Sequence, residues 1–195
     1  MIIKTFFHDP LMPIEDYVNF IHNAFKERLD QNLNFGCATF SVEIFKEKLK
    51  DSHTIIIFSD EGVILGSVTL TILNNRGYVY GWHDYLAVSP TARGKNIGSA
   101  LECEILKLAE HYNLQFMLSS TAFGAYSSIK FHGKSGFKKI AVKSYGLTNY
   151  YSYIFIKPVN HSIGTILLML FRWPLFIATY ISSHLFYQAD GSKRF

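Results

Sequence analysis

Apolar and polar positions follow two different periods along the first 159 residues, and the points where the period changes predict an order of elements. In four segments apolar residues recur every three or four positions, which is typical of helices with one buried face. Short apolar or alternating runs, bounded by Gly, Pro, Asn or Asp, are typical of strands. The resulting order is β-α-α-β-β-β-α-β-α-β-β.

The predicted bounds follow from the turn signals between these runs. Strands are expected over residues 2–7, 54–58, 63–73, 78–88, 115–119, 138–143 and 150–159, and helices begin near residues 13, 41, 99 and 124. Residues 28–40 are polar and contain glycine, so they predict a loop. Side chains should alternate between the two faces of strand 78–88. This places Trp82, Asp84 and Leu86 on one face and His83, Tyr85 and Ala87 on the other.

The most apolar stretch of the chain begins only after residue 159. Residues 163–181 approach the length of about 20 residues that a membrane span needs, but Arg172 and Pro174 interrupt them. We therefore divide the chain into a domain over residues 1–159 and an apolar C-terminal helical extension over residues 160–195.

The extension leaves three arrangements open. Residues 163–187 could form two helices that lie in a membrane interface, so that the protein contacts the membrane peripherally. The residues at the lipid headgroups would then be Arg172, Trp173, Lys193 and Arg194. Alternatively, the extension adds a helical layer to the sheet or to a second subunit of a homodimer, or it spans the membrane with a kink.

Composition and charge exclude several classes of protein. A chain of 195 residues with 49% hydrophobic and 17% charged residues can bury a core and is not disordered. The net charge of +4 suits a polyanionic small ligand or an anionic membrane but is too small to indicate nucleic-acid binding. Cys37 and Cys103 predict free thiols in a reducing compartment, so we expect a cytoplasmic protein, with the inner face of the membrane as an option. The eight histidines have no paired spacing, which predicts no metal site.

One stretch has the composition of an anion site. Residues 93–99 read Arg-Gly-Lys-Asn-Ile-Gly-Ser, and they connect an apolar strand to a helix. Free N–H groups and the helix dipole favour a negative charge there, glycine permits close approach, and Arg93 and Lys95 add full charges. A P-loop is excluded because Asn96 stands where Ser or Thr should follow the lysine. A dinucleotide-binding fingerprint is also excluded, because Gly94 and Gly98 do not have its glycine spacing.

This stretch resembles the signature loop of the GNAT family of acyl-CoA-dependent N-acyltransferases, Arg/Gln-x-x-Gly-x-Gly/Ala. Arg93 fills the first position and Gly98 the last, while Asn96 stands at the middle glycine; asparagine tolerates left-handed backbone angles well. The predicted element order is that of the whole family fold, so the resemblance covers residues 1–159. It implies an α/β (α+β) fold with a central mixed, mostly antiparallel sheet flanked by helices.

The resemblance also implies acetyl-CoA as the acyl donor, bound without a metal. Main-chain amides of the loop would hold the pyrophosphate, and the end of the fourth strand would pair with the pantetheine arm like an added strand. The residues expected to bind the donor are Leu86, Ala87, Val88, Arg93, Gly94, Lys95, Asn96, Ile97, Gly98 and Ser99.

The acid and the base are expected at three positions. In several members of the family a carboxylate four residues before the position of Val88 deprotonates the amine, and Asp84 stands there. Its burial would raise its pKa toward the range of a base, while the ordinary pKa of a histidine side chain is near neutral, so His83 is the alternative base. The family's usual acid is a tyrosine five residues before the Phe of Gly136-Phe137. Here His132 occupies that position and is expected to protonate the leaving thiolate.

The acceptor side is expected to be lined by Trp82, Tyr85 and the loop at residues 28–40, and Tyr126 is an alternative acid. The leading interpretation is an N-acetyltransferase that moves an acetyl group from acetyl-CoA to a primary amine of a small molecule by direct attack. Two alternatives stay open, a non-catalytic acyl-CoA sensor or scaffold and an acyltransferase with a longer acyl donor.

Overall fold

The computed structural model describes residues 2–6, 12–145, 148–160 and 162–186. Its strands are β1 (Ile2–Phe6), β2 (Ser52–Phe58), β3 (Ile64–Asn75), β4 (Tyr78–Val88), β5 (Phe116–Ala122), β6 (Lys138–Ser144) and β7 (Tyr151–Pro158). Its helices are α1 (Ile14–Asp30), α2 (Val42–Leu49), α3 (Ile97–His111), α4 (Tyr126–Lys134), α5 (Ile163–Leu170) and α6 (Arg172–Phe186), with short 3₁₀ turns at Gly36–Ala38 and Pro90–Ala92. This order confirms the predicted one. Phe7, Tyr187, Lys193 and Arg194, which carried parts of the predictions, lie outside the described residues.

The seven strands form one mixed sheet in the order β1-β2-β3-β4-β5-β7-β6. Every neighbouring pair is antiparallel except β4 and β5, which run parallel. The mostly antiparallel, mixed sheet that the sequence predicted is therefore confirmed. The parallel pair lies in the middle of the sheet, and its two strands are joined through α3.

Helices cover both faces of the sheet, which explains why the second half of β2, from Ile55 to Phe58, is apolar at every position. Ile55 and Ile57 pack into the cluster that contains the buried face of α3. Ile56 and Phe58 point the other way, into the cluster formed with α1 and α2. A strand with helices on both faces has no solvent side, so an unbroken apolar run replaces the usual alternation.

A bulge in β4 changes which side chains share a face. Ser67 pairs with Ala87 but Thr69 pairs with Asp84, so β4 carries one extra residue at this point. Tyr85 lies inside the bulge with φ +47°, a left-handed conformation that a bulky residue rarely adopts. The bulge decides where the side chains of the strand end point.

The alternation predicted for residues 82–87 is therefore wrong. His83 packs edge-on against Phe137 of the α3 cluster, as expected for its side of the strand. After the bulge, however, Leu86 packs with that same cluster, whereas Tyr85 and Ala87 pack with the α1–α2 cluster. One inserted residue reverses every position that follows it, because side chains on a strand alternate with a period of two.

The C-terminal extension consists of α5 and α6, and α6 packs along β6, the edge strand of the sheet. Thr179 Oγ1 accepts a hydrogen bond from the Val142 N–H at 3.0 Å, and Ser183 Oγ donates to the Val142 carbonyl at 3.3 Å. Hydroxyl groups of α6 thus satisfy main-chain groups that a neighbouring strand would otherwise pair with. Of the three arrangements left open, the structure shows packing on the protein's own sheet.

Within the described residues no single helix is both long and apolar enough to cross a membrane. The pair Ile163–Leu170 and Arg172–Leu185, bent by 56°, meets the length and composition requirement only when the two helices are taken together.

Candidate active site

A cavity of about 750 Å³ opens where β4 and β5 separate. The two strands pair only from Tyr80 with Phe116 to His83 with Ser119. Beyond that point they diverge, and the cavity is lined by β4 from His83 to Val88 and by β5 from Ser119 to Ala122. The remaining wall comes from α1, the turn at Gly36–Ala38, the start of α3, α4 and the connection between β6 and β7.

The N-terminus of α3 forms one end of the cavity, and no side chain caps it. Asn96 precedes the helix with φ +60°. This is the left-handed conformation that glycine adopts easily and that asparagine tolerates, as expected for Asn96 at the position of the family's middle glycine. The first main-chain N–H with a partner inside the helix is that of Ala100, which donates to the Asn96 carbonyl. The first turn contains no acidic residue. The amides of Ile97, Gly98 and Ser99 can therefore serve an anion, which the helix dipole would also favour.

The two basic residues of the loop differ in their surroundings. Arg93 lines the cavity, but its guanidinium forms an ion pair with Glu27 of α1 and donates to the Ala24 carbonyl at 3.3 Å. The hydrogen bond and charge of Arg93 hold the pKa of Glu27 below its usual range. Lys95 is exposed and does not line the cavity. Main-chain amides, rather than free side-chain charges, are thus the groups nearest the cavity that an anion could contact.

Leu86, Ala87 and Val88 line the cavity along the edge of β4 that faces β5. Because β5 pairs with β4 no further than His83, no strand of the described chain occupies this edge at residues 86–88. An extended ligand chain can hydrogen-bond to such an edge in the manner of an added strand. The edge runs from the middle of the cavity toward the start of α3.

Asp84 lies at the bulge and lines the cavity. Its side chain is half-buried, and Oδ1 accepts a hydrogen bond from the Tyr85 N–H at 2.9 Å. Burial raises the pKa of this carboxyl above its usual value, while the Tyr85 N–H, nearby charges of His83 and Lys48 and the Trp82 indole oppose that rise. A carboxyl with a raised pKa, in contact with a cavity, has the properties of a general base.

His83 lines the floor of the cavity and belongs to a buried charged cluster. Its Nε2 lies 3.1 Å from Glu102 Oε2, and Lys157 Nζ lies 2.8 Å from Glu102 Oε1. Burial by itself raises the pKa of Glu102, but the hydrogen bonds and charges of His83 and Lys157 outweigh it and hold that pKa below its usual range. Glu102 thus fixes the His83 ring, which leaves only Nδ1 for another partner.

His132 is also buried, and both of its ring nitrogens have partners. Nδ1 lies 2.8 Å from the Ser128 carbonyl, which can only accept, so this nitrogen carries the proton. Nε2 lies 2.9 Å from Ser119 Oγ. Burial and the charge of His83 lower the pKa of His132 to about 4. At neutral pH Nε2 therefore holds no proton and accepts from the Ser119 hydroxyl, which is not the state that the predicted acid role requires.

The two aromatic residues predicted to bind the acceptor have different positions. Tyr85 lines the cavity and packs against Phe45 with 5.5 Å between ring centroids. Trp82 does not line the cavity, so this prediction is wrong. It packs into the cluster of β5, β6 and β7 together with Leu168 and Met169 of α5. Trp82 lies opposite Leu118, where β4 and β5 are still paired, and therefore before the point at which the cavity opens.

The side of the cavity formed by α1, the turn at Gly36–Ala38 and the connection between β6 and β7 is largely aromatic. Phe25 stacks on Phe35 at 5.8 Å, and Phe35 stacks on Tyr150 at 5.2 Å. Residues of the predicted loop at 28–40 line this side, where the sequence analysis expects the acceptor, although α1 continues to Asp30. Tyr145 lines the same side with its hydroxyl buried beside Ser120, and burial raises the pKa of Tyr145.

Sequence reasoning missed several of these residues. Tyr145 and Tyr150 flank the β6–β7 connection, and no local pattern marks them. Glu102 did carry a signal, since it lies four residues after Gly98 and three before Ile105, on a face of α3 that is otherwise apolar or glycine. A carboxylate in such a stripe indicates a buried partner. Among the described residues, no group of three or more His, Cys, Asp or Glu is arranged to hold a metal ion.

Comparison with known proteins gives the family. The model of the acetyltransferase (GNAT) family matches residues 20–137. A solved structure of a Streptococcus mutans protein is similar over 82% of this chain and 100% of its own, with 18% identity and a TM-score of 0.67. Aminoglycoside 6′-acetyltransferase type Ii is similar over 83% of this chain and 99% of its own, with 14% identity and a TM-score of 0.64.

A chain of the NatC complex bound to Gag peptide and CoA is also similar, over 82% of this chain and 100% of its own, with 15% identity and a TM-score of 0.62. No curated protein sequence gives a significant match. The structural likenesses extend the agreement in fold beyond the segment that the family model matches. With that segment covering more than half of the sequence, the chain belongs to the GNAT family of acetyltransferases.

Proposed function

We propose that the protein transfers the acetyl group of acetyl-CoA to a primary amine of a small-molecule acceptor by direct attack. One observation supports this most strongly. A single cavity contains the uncapped N-terminus of α3 at one end and the Asp84 carboxyl further along, and the unpaired edge of β4 connects them. An anion site, an extended groove and a base are the three features that this reaction needs.

The loop and the start of α3 fit the donor. The uncapped amides of Ile97, Gly98 and Ser99 would bind the pyrophosphate, and Gly98, which lacks a side chain, leaves room for it. Main-chain groups of residues 86–88 would pair with the amides of the pantetheine arm. When bound, acetyl-CoA supplies the acetyl group as an activated thioester.

Asp84 is the base in this proposal. An acceptor amine is protonated near neutral pH and must lose that proton before it can attack. The carboxylate of Asp84 also attracts the ammonium form, and its raised pKa brings it closer to the range in which it can take the proton. His83 is the weaker candidate because Glu102 already engages its Nε2.

The departing thiolate needs a proton, and Tyr145 is better suited to give it than His132. His132 accepts through Nε2 at neutral pH and has no proton on that side. Tyr145 keeps its proton because burial raises its pKa, and it lines the same cavity. In this proposal His132 orients Ser119, while the hydroxyl of Tyr145 donates.

The acceptor is proposed to be an amine with an apolar or aromatic body. The stacked wall of Phe25, Phe35 and Tyr150 offers ring surface, and a protonated amine gains from aromatic faces as well as from Asp84. Similar folds occur in a protein named as an aminoglycoside acetyltransferase and in a complex with a peptide, so the fold itself leaves the acceptor open.

The test is release of the CoA thiol from acetyl-CoA over a panel of primary amines. We expect turnover with at least one amine, and Asp84→Asn should lower kcat/KM by about a hundredfold or more while CoA affinity is retained. Asp51→Asn, an exposed carboxyl in the turn before β2, is the matched control and should change nothing. Tyr145→Phe should lower kcat, with exposed Tyr112→Phe as its control. CoA binding without turnover on any amine would contradict the proposal and favour a sensor.

A further inference from the structure

We propose that the outer face of α5 and α6 docks onto the surface of an anionic phospholipid bilayer, with both helices lying in the interface. This surface, here called the outer face, consists of exposed apolar residues from both helices and from the bend between them. They are Ile163, Ile166, Leu167, Leu170, Phe171, Trp173, Leu175, Ile177, Tyr180, Ile181 and Leu185. These are eleven of the sixteen large apolar side chains that are exposed in the described chain, so the apolar surface is concentrated in one segment.

Helix α6 has its polar and apolar sides reversed relative to a helix on a water-facing surface. Thr179 and Ser183 point inward and hydrogen-bond the main chain of β6. Ile177, Ile181 and Leu185, spaced by four residues, point outward and are 53%, 49% and 54% exposed. A helix between a domain and water buries its apolar stripe and exposes its polar one. The reversed arrangement of α6 matches an apolar medium on its outer side.

Helix α5 continues the same surface. Its exposed residues Ile163, Ile166, Leu167 and Leu170 follow the spacing i, i+3, i+4, i+7, which defines one face of a helix. The opposite face is engaged with the domain, where Leu168 and Met169 join the core cluster that contains Trp82. Apolar side chains thus cover both faces of α5, one against protein and one without a partner in the described chain.

The charges around the outer face favour anionic headgroups. Residues 162–186 contain no Asp or Glu, and Arg172 stacks over the Trp173 ring at the bend between the helices, 5.2 Å from its centroid. The strand beneath α6 carries exposed Lys138 and Lys143. Arginine and tryptophan together suit the headgroup level of a bilayer. A second copy of the chain would instead bring two cationic surfaces together.

The contacts of the two helices with the domain argue for lying in the interface rather than crossing the membrane. Thr165 Oγ1 donates to the Gln115 carbonyl at 3.4 Å, and the hydroxyls of Thr179 and Ser183 bind Val142. If α5 and α6 crossed the membrane, these hydrogen bonds would break and the edge of β6 would be exposed. Arg172 would also enter the hydrocarbon of the bilayer, which costs free energy. The 56° bend lets both helices contact one surface.

The test is sedimentation of the full chain with vesicles of phosphatidylcholine, with and without phosphatidylglycerol. We expect binding that requires phosphatidylglycerol and weakens with added salt. Ile177→Asp and Leu170→Asp should each weaken binding by about tenfold or more. Val63→Asp places the same charge at another exposed apolar position and should bind like the parent protein. Brominated lipids should quench the emission of Trp173, and Trp173→Phe should remove that quenching because Trp82 lies inside the domain.

Several outcomes would overturn the proposal. One is a folded full chain that stays with the supernatant for both kinds of vesicle, and another is equal binding by Ile177→Asp. A dimer that Ile177→Asp dissociates, without vesicle binding, would assign the outer face to a second copy. Protein that an alkaline carbonate wash does not release from the vesicles would indicate a kinked span.

Discussion

The His132 ring accepts a hydrogen bond from the Ser119 hydroxyl, with 2.9 Å between Nε2 and Oγ, and donates from Nδ1 to the Ser128 carbonyl. This pair connects α4 to β5 at the point where β4 and β5 separate. The neutral imidazole is the form that satisfies both partners, because a protonated Nε2 could no longer accept from Ser119. His132 therefore shapes the wall of the cavity, and its titration should report on stability.

We expect the free energy of unfolding to decrease as the pH falls from about 6.5 to about 4 because of His132. The unfolded chain binds a proton on this imidazole near its ordinary pKa of 6.5, whereas the folded chain does so only near 4. The unfolded state therefore binds more protons in this window, and the loss is on the order of 3 kcal/mol in total. Denaturant titrations across this range should show a steeper pH dependence for the parent protein than for His132→Gln. Parallel pH profiles would rule out a buried neutral histidine.

The buried carboxylate of Glu102 is hydrogen-bonded to both His83 and Lys157. Glu102→Gln should destabilise the protein by about 3 kcal/mol, because it leaves the Lys157 ammonium buried without a counter-charge. The double variant Glu102→Leu with Lys157→Met should recover most of this loss. Chemical unfolding of the single and double variants measures both effects.

The control for Glu102 is the exposed ion pair of Glu104 and Lys107 on the same helix. Glu104→Gln should cost less than about 1 kcal/mol, because exposed pairs are screened by water. Equal losses for Glu102→Gln and Glu104→Gln would show that burial does not determine the strength of the Glu102 cluster.

The sequence predicted the order of elements because each element has a clear period or turn signal. It also predicted the loop that leads into the uncapped start of α3, since loop glycines, Asn96 and the helix start are local features. It could not predict the bulge at Asp84 and Tyr85, because a one-residue insertion leaves no mark in an alternating pattern. The error for the faces of Tyr85, Leu86 and Ala87 follows from that single residue, whereas Trp82 precedes it and misses the cavity because β4 and β5 are still paired there.

Contacts between residues far apart in the sequence could not be predicted from local sequence patterns either. The partner of Arg93 is Glu27 on α1, which three strands separate from Arg93 in the sequence, and this pairing depends on how α1 crosses the sheet. Tyr145 enters the cavity from the far end of the sheet. The apolar pattern of the extension was evident in the sequence. That the hydroxyls of Thr179 and Ser183 point inward could not be predicted, because it depends on their hydrogen bonds to the edge of β6.

The central claim, that the start of α3 holds the pyrophosphate of CoA, is tested most directly by calorimetric titration of CoA into Gly98→Val. A Cβ at this position would lie 3.1 Å from the Phe131 ring, and a larger side chain would enter the cavity beside the uncapped amides. Gly133→Val is the matched control, because a Cβ there meets nothing within 4 Å. We expect CoA affinity to decrease by about a hundredfold or more in Gly98→Val, with the fold retained and with Gly133→Val binding normally. Unchanged CoA affinity in folded Gly98→Val would contradict the assignment.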